Sequence, residues 1–156
     1  MCSSDLYKFV FAHHVLGTGR GGVEMAAQYE WGGRGRNGAW EFPQYRPSWE
    51  MPIHQLFAKT GVSAFFFGHD HIYAHQELDG VVYQSTPNPA DATYTAFNDG
   101  AYRTGTVLPN SGHLLVTVGP DDARVDYVRS FLPKDENSSQ RHGEVAASYR
   151  ISPRGQ

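Results

Sequence analysis

Ala64-Phe65-Phe66-Phe67-Gly68-His69-Asp70-His71 is an apolar run that halts at a glycine and then presents two imidazoles one residue apart. From Val62 to Phe67 the chain is rich in β-branched and aromatic residues, and over so short a length that composition predicts a buried strand. Extended backbone turns residues i and i+2 to one face, so His69 and His71 are expected to aim their rings into one volume. Such a pair suits zinc, iron or manganese, and it equally suits a partly exposed turn that binds nothing. A second stretch of the same form shifts the balance. Tyr7 to Ala12 is another short apolar strand, and it ends in His13 and His14. Open α/β sheets collect ligands outside the carboxyl ends of their strands, so the two ends are expected to face one crevice.

A strand ending in His-His, followed by a strand ending in Gly-His-Asp-His, resembles the C-terminal half of the calcineurin-like metallophosphoesterases, which include the purple acid phosphatases. The resemblance runs from about Tyr7 to Phe131. It implies an α/β fold, half of a four-layer sandwich of two sheets flanked by helices, strand-rich with one or two helices. It also implies a metal-dependent hydrolase of phosphoric monoesters or diesters, working through two ions of iron, manganese or zinc on a phosphorylated substrate. By resemblance His13 and His69 would ligate one metal and His71 the other, with His14 beside the substrate. The family's upstream motifs Asp-x-His, Gly-Asp-x-x and Gly-Asn-His-Asp/Glu are absent from this sequence. Those motifs supply the aspartates, the bridging carboxylate, the asparagine ligand and the general acid, so no catalytic acid is expected here and the chain alone is expected to be inactive.

Met1-Cys2-Ser3-Ser4-Asp5-Leu6 is what a widely used short-read sequencing adapter encodes in one frame. Residues 1–6 are therefore expected to be a non-native leader ahead of a truncated gene fragment. The remaining boundaries are expected at 7–133 for the half-domain, with a long loop at 17–48, and at 134–156 for a polar connection and a terminal edge strand.

A chain of 156 residues can bury a real core, normally about two-thirds of its unfolded surface. Its 40% hydrophobic and 13% aromatic content is that of a globular protein. A net charge of −3 and a pI near 6.2 argue against a nucleic-acid surface. No apolar run approaches the roughly 20 residues of a membrane span. The one cysteine, Cys2, falls in the leader and says nothing of redox compartment. Localisation stays open, export from the cytoplasm included, as does oligomeric state.

Gly17-Thr18-Gly19-Arg20-Gly21-Gly22 fits the G-x-G-x-x-G pattern. A dinucleotide site also needs a full helix and then a strand ending in an acid about 20 residues on. Gly32 to Tyr45 supplies neither, so 17–48 reads instead as an excursion from a strand end. It carries Arg20, Arg34, Arg36, Trp31, Trp40, Phe42 and Tyr45. Arginine suits phosphate and aromatic faces suit a sugar or base, so the loop either joins a substrate pocket or packs onto the body. A helix is predicted from Trp49 to Thr60, with Ser48 as N-cap, Ile53, Leu56 and Phe57 facing inward, and Gly61 ending it. His54 on that helix is read as a surface or packing histidine.

Beyond His71, Tyr73 and His75 share the two-residue phase of the histidine pair and either orient a ligand or pack. Asp79-Gly80 predicts a hairpin into Val81–Ser85. Thr86 to Asn110 reads as a loop, His113–Val118 and Arg124–Phe131 as a hairpin through Pro120-Asp121-Asp122, and Glu144–Ile151 as an edge strand. Two other functions fit the same residues: a non-catalytic module whose histidines hold one structural or adventitious zinc, and a carbohydrate-binding domain using the aromatic loop.

Overall fold

In the computed structural model, residues 6–15 and 19–154 are described. Met1 to Asp5 of the expected leader, and Gly17 and Thr18 of the glycine-rich motif, lie outside them. Strand β1 (Phe9–Ala12) pairs in parallel with β2 (Ala64–Phe67). Next, β3 (Tyr73–Leu78) returns as a hairpin into β4 (Val81–Ser85), and β4 pairs in parallel with β2. Asp79 and Gly80 both take positive φ, 49° and 75°, the left-handed pair that a two-residue hairpin requires. A short β5 (Thr106–Leu108) adds to the edge beside β3, giving the order β1-β2-β4-β3-β5. The second sheet is an antiparallel meander of β6 (Gly112–Val118), β7 (Ala123–Arg129) and β8 (Val145–Ile151).

The chain is thus α/β and strand-rich, with eight strands in two sheets among the described residues and few helices. Alternation along the strands of the first sheet sends Phe65, Phe67, Val81 and Tyr83 to one face, where Trp31, Phe57, Val15 and Met25 cover them. It sends Ala64, Phe66 and Val82 to the other, against Ala123, Val125 and Ile151 of the second sheet. A strand buried on both faces has no polar side to show, which is why β2 reads as an unbroken apolar run. Along the seam between the sheets Tyr73 stacks on Tyr127 at 4.8 Å and His75 on Tyr149 at 3.9 Å between ring centroids.

The loop after β1 contains two single-turn helices, α1 (Tyr29–Gly32) and α2 (Phe42–Tyr45). Among the described residues the one longer helix, α3, runs Ile53–Thr60, so the predicted start at Trp49 with Ser48 as cap is corrected to a Pro52 cap. Proline pushes the residue before it out of the helical region, and the helix accordingly begins just after Pro52. Leu56 points to solvent rather than inward, while Phe57 is buried. Gly61 ends the helix in the left-handed conformation, φ 72°, as read. β5 lies inside the stretch read as loop; three residues are too few to display a period. Among the described residues no helix is long and apolar enough to cross a membrane.

Candidate metal centre

β1 and β2 finish level, Ala12 opposite Phe67. One further bond extends their ladder, as the Gly68 N–H donates to the His13 carbonyl at 2.8 Å. The chain then turns sharply. His69 and His71 both have positive φ, 73° and 54°, and the Asp70 N–H donates back to the Gly68 carbonyl at 2.9 Å. The expectation that extended backbone aligns His69 with His71 is therefore corrected, because this element is a turn and the two-residue phase stops at Gly68.

What the turn does bring together is His69 and the end of β1. The ring centroids of His13, His14 and His69 form a triangle of 5.4, 5.5 and 5.2 Å. His14 Nδ1 is buried and has no hydrogen-bond partner among the described residues. His71 stands outside the triangle, exposed, its carbonyl accepting a hydrogen bond from Asn110 Nδ2. Among the described residues no group of three or more His, Cys, Asp or Glu side chains is drawn closely enough to hold a metal ion without rearrangement.

The turn is held by the residue between the two histidines. Asp70 is 2% exposed, and its carboxylate accepts from Arg20 Nη1 at 3.0 Å, the Gly21 N–H at 2.8 Å and the Tyr102 hydroxyl at 2.7 Å. Asn98 Nδ2 caps its carbonyl at 2.6 Å. Burial pushes the Tyr102 phenol up, so it stays a donor; Ser85 opposes this shift, and the bond to Asp70 adds to it. Gly21, at φ 114°, has the Ala101 carbonyl only 2.8 Å from where a Cβ would be. Glycine here serves close approach to the Ala101 backbone while its N–H reaches Asp70, with no dinucleotide needed to explain it.

Arg20 thus lies at the centre's edge, tied to Asp70 by one nitrogen and with 49% of its side chain exposed. Tyr73 and His75 are elsewhere, in the seam between the sheets, so neither orients the histidines. Burial pushes the His75 imidazole below its ordinary range, against a smaller opposing pull from Glu77, and its Nε2 has no hydrogen-bond partner among the described residues. His54 is a packing histidine, bonded through Nδ1 to the Tyr83 hydroxyl at 2.8 Å and through Nε2 to Asp79 at 3.0 Å. In the loop, Trp31 packs on Phe57 and Phe65, while Arg34 and Arg36 bond to Gly38 and Tyr29 within the loop itself. Trp40, Tyr45 and Trp49 are exposed, but the Arg46 guanidinium covers a face of Trp49 at 5.2 Å.

The sequence reading missed Asp70, Tyr102, Asn98 and Asn110. Asp70 had a signal, a carboxylate locked between two histidines; the others come from a loop whose composition says only that it turns.

No protein-family model matches the chain, and no curated protein matches it. Among solved structures it is similar to "GAP50 the anchor in the inner membrane complex of Plasmodium", at 10% identity and a TM-score of 0.49, over 78% of this chain and 33% of that one. The chain spans about a third of that structure's length, and likeness at this level says nothing of what this chain does.

Proposed function

We propose that this chain carries the histidine half of a two-metal centre that hydrolyses phosphoric esters, of the calcineurin-like metallophosphoesterase kind. His13, His69 and His71 are the proposed ligands of iron, manganese or zinc, with His14 against the substrate. The observation that carries the reading is the meeting of His13, His14 and His69 at 5.2–5.5 Å from the ends of two parallel strands. Imidazole nitrogens suit such borderline cations, and His13 and His69 would have to close round an ion by rearrangement, with His14 Nδ1, buried and without a hydrogen-bond partner among the described residues, left for the substrate.

Metal ions bound there would polarise the phosphoryl oxygens and lower the pKa of a water molecule. The chain's own residues supply the frame. Asp70 fixes the turn that presents His69 and His71, and the unpaired arm of Arg20 offers N–H donors to phosphate oxygens. No carboxylate at the turn is free, so the bridging carboxylate and the general acid are proposed to come from the family's upstream motifs.

That same lack of a free carboxylate is what favours the second reading, one structural zinc in a non-catalytic module. Calorimetry with zinc, manganese and iron tests both. One ion per chain, lost in His69→Ala and recruiting inorganic phosphate, supports the hydrolase reading; an ion that leaves phosphate unbound supports the structural one. Metal uptake unchanged in both His13→Ala and His69→Ala removes the centre altogether.

A further inference from the structure

The two histidines that follow Gly68 are anchored by different parts of the chain. His69 stands one residue past the Gly68–His13 bond that extends the β1–β2 ladder. Its neighbour Asp70 is gripped by Arg20, Gly21 and Tyr102, and Asn98 holds the Asp70 carbonyl. His71 comes after all of these, its side chain exposed and its backbone at φ 54°. Its carbonyl accepts from Asn110 Nδ2.

We propose that Asn110 is the positioning residue for His71: its amide keeps the His71 backbone left-handed and so sets where that imidazole stands relative to an ion at His13 and His69. The proposal rests on the hydrolase reading above, in which His71 is a ligand of the centre.

Two features support it. Left-handed backbone is unfavourable for a residue that carries a Cβ, and it persists where the surroundings hold it. The bond from Asn110 is such a hold, made directly to the residue concerned.

The hold is itself fixed. Asn110 is 0% exposed, and every polar atom of its side chain is used. Oδ1 accepts from the Asn88 N–H at 2.8 Å, and Nδ2 donates to Asp91 Oδ2 at 3.1 Å as well as to His71. The Asn110 main-chain N–H donates to the Thr95 carbonyl at 3.0 Å, and its carbonyl accepts from Arg129 Nη2 at 2.6 Å. Thr93 holds Asp91 in turn, through its N–H at 2.9 Å and its hydroxyl at 2.7 Å. Turning the amide over would set Nδ2 against an N–H and Oδ1 against a carbonyl and a carboxylate, so the donor points one way. A donor locked on all sides defines a position, where an exposed one would follow the turn.

The test is solution NMR of the full chain, with cobalt(II) as the probe ion. In the parent chain the Asn110 side-chain amide protons should exchange with deuterated solvent at least tenfold more slowly than those of the exposed Asn37. Equal exchange would overturn the proposal before any variant is made. Asn110→Ala and the similarly sized, apolar Asn110→Leu both remove the donor to His71. In whichever of them keeps a dispersed spectrum, the backbone shifts and couplings of His71 should leave the left-handed range while those of His69 stay in it. Cobalt pseudocontact shifts at the His71 ring protons should change by at least half, with those at His13 and His69 kept. A His71 that stays left-handed without the Asn110 donor, or whose cobalt shifts do not change, would overturn the positioning role. Absence of cobalt shifts at His13 and His69 in the parent chain would count against the hydrolase reading and not against the hold of Asn110 on His71, which is read without metal.

Discussion

Gly68 donates its N–H to the carbonyl of His13 at 2.8 Å, one step beyond the last paired residues of β1 and β2. That bond carries the parallel register past the strands, so the spacing of His13 from His69 is set by backbone pairing and not by flexible loops. Ligands placed on rigid elements are held more closely than ligands on loops.

From this follows a division of labour among the histidines. Replacing His13 or His69 by Ala should lower zinc affinity by more than the about 10–100-fold that loss of an outer hydrogen-bonding partner costs. His14→Ala should keep the metal and weaken phosphate binding to the metal-loaded chain. Elemental analysis after dialysis, with phosphate titration by calorimetry, reads both. Metal lost from His14→Ala and kept in His13→Ala would reverse the two roles.

Asp70 is expected to be the most sensitive position outside the histidines. Asp70→Ala leaves the Gly21 N–H and the Tyr102 hydroxyl buried without their acceptor, at about 1–3 kcal/mol each. The ion pair with Arg20 adds little, because that guanidinium is half in water. A total loss of about 3 kcal/mol is expected for Asp70→Ala and about half of it for Tyr102→Phe, read from urea midpoints. Zinc affinity should fall in Asp70→Ala as the turn loosens. A variant as stable as the parent chain would show that the glycine-rich loop does not strap the turn.

How much of this could be read beforehand follows from where each signal lives. β2, the β3–β4 hairpin and the β6–β7 hairpin announce themselves through local chemistry: a run of Phe, an Asp-Gly pair, and Pro120-Asp121-Asp122 between alternating strands. The backbone at His69 and His71 does not. Nothing in a histidine's identity declares a left-handed φ; the turn exists because Asp70 is drawn inward by Gly21 and Tyr102, 49 and 32 residues away in the chain. Of the two roles open to Tyr73 and His75, orienting a ligand or packing, the structure has packing, because the alternating phase does not survive the turn before them.

His75 supplies a pH dependence whose sign is fixed by its burial. Its neutral form is favoured in the folded chain, so below the ordinary histidine pKa of 6.5 the unfolded chain takes up a proton that the folded one resists. Stability should therefore fall as pH drops from 6.5 toward the depressed folded value, and be flat in this respect above it. Tyr149 stacked on the ring, Gln84 and Thr106 opposite it in the pairings with β4 and β5, and Glu77 at 3.9 Å are its polar neighbours among the described residues, and of these Glu77 favours the proton. His75→Phe keeps the stacking and removes the titration. Urea midpoints at pH 5 and pH 8 should differ less in that variant than in the parent chain, and an undiminished difference would assign the effect to other histidines.

The final prediction is that these residues alone do not turn over a phosphoric ester. Imidazoles bring no negative charge to offset two cations, and two-metal hydrolases rely on carboxylates that the histidine turn does not have to spare. Asp70 is the only carboxylate in the turn, and its oxygens are already taken by Arg20, Gly21 and Tyr102. Asp91, the next nearest along the Asn110 link, is taken by Thr93 and Asn110. To serve as a bridge, Asp70 would have to abandon the bonds that hold His69 and His71 in place, so gaining the carboxylate would lose the ligands. The chain, purified and supplied with zinc, manganese or iron, should hydrolyse 4-nitrophenyl phosphate and bis(4-nitrophenyl) phosphate no faster than the metal in buffer. Metal-dependent turnover well above that blank, abolished in His71→Ala, would mean that the centre is complete with the residues it has and that its carboxylate comes from a rearranged Asp70 or Asp91.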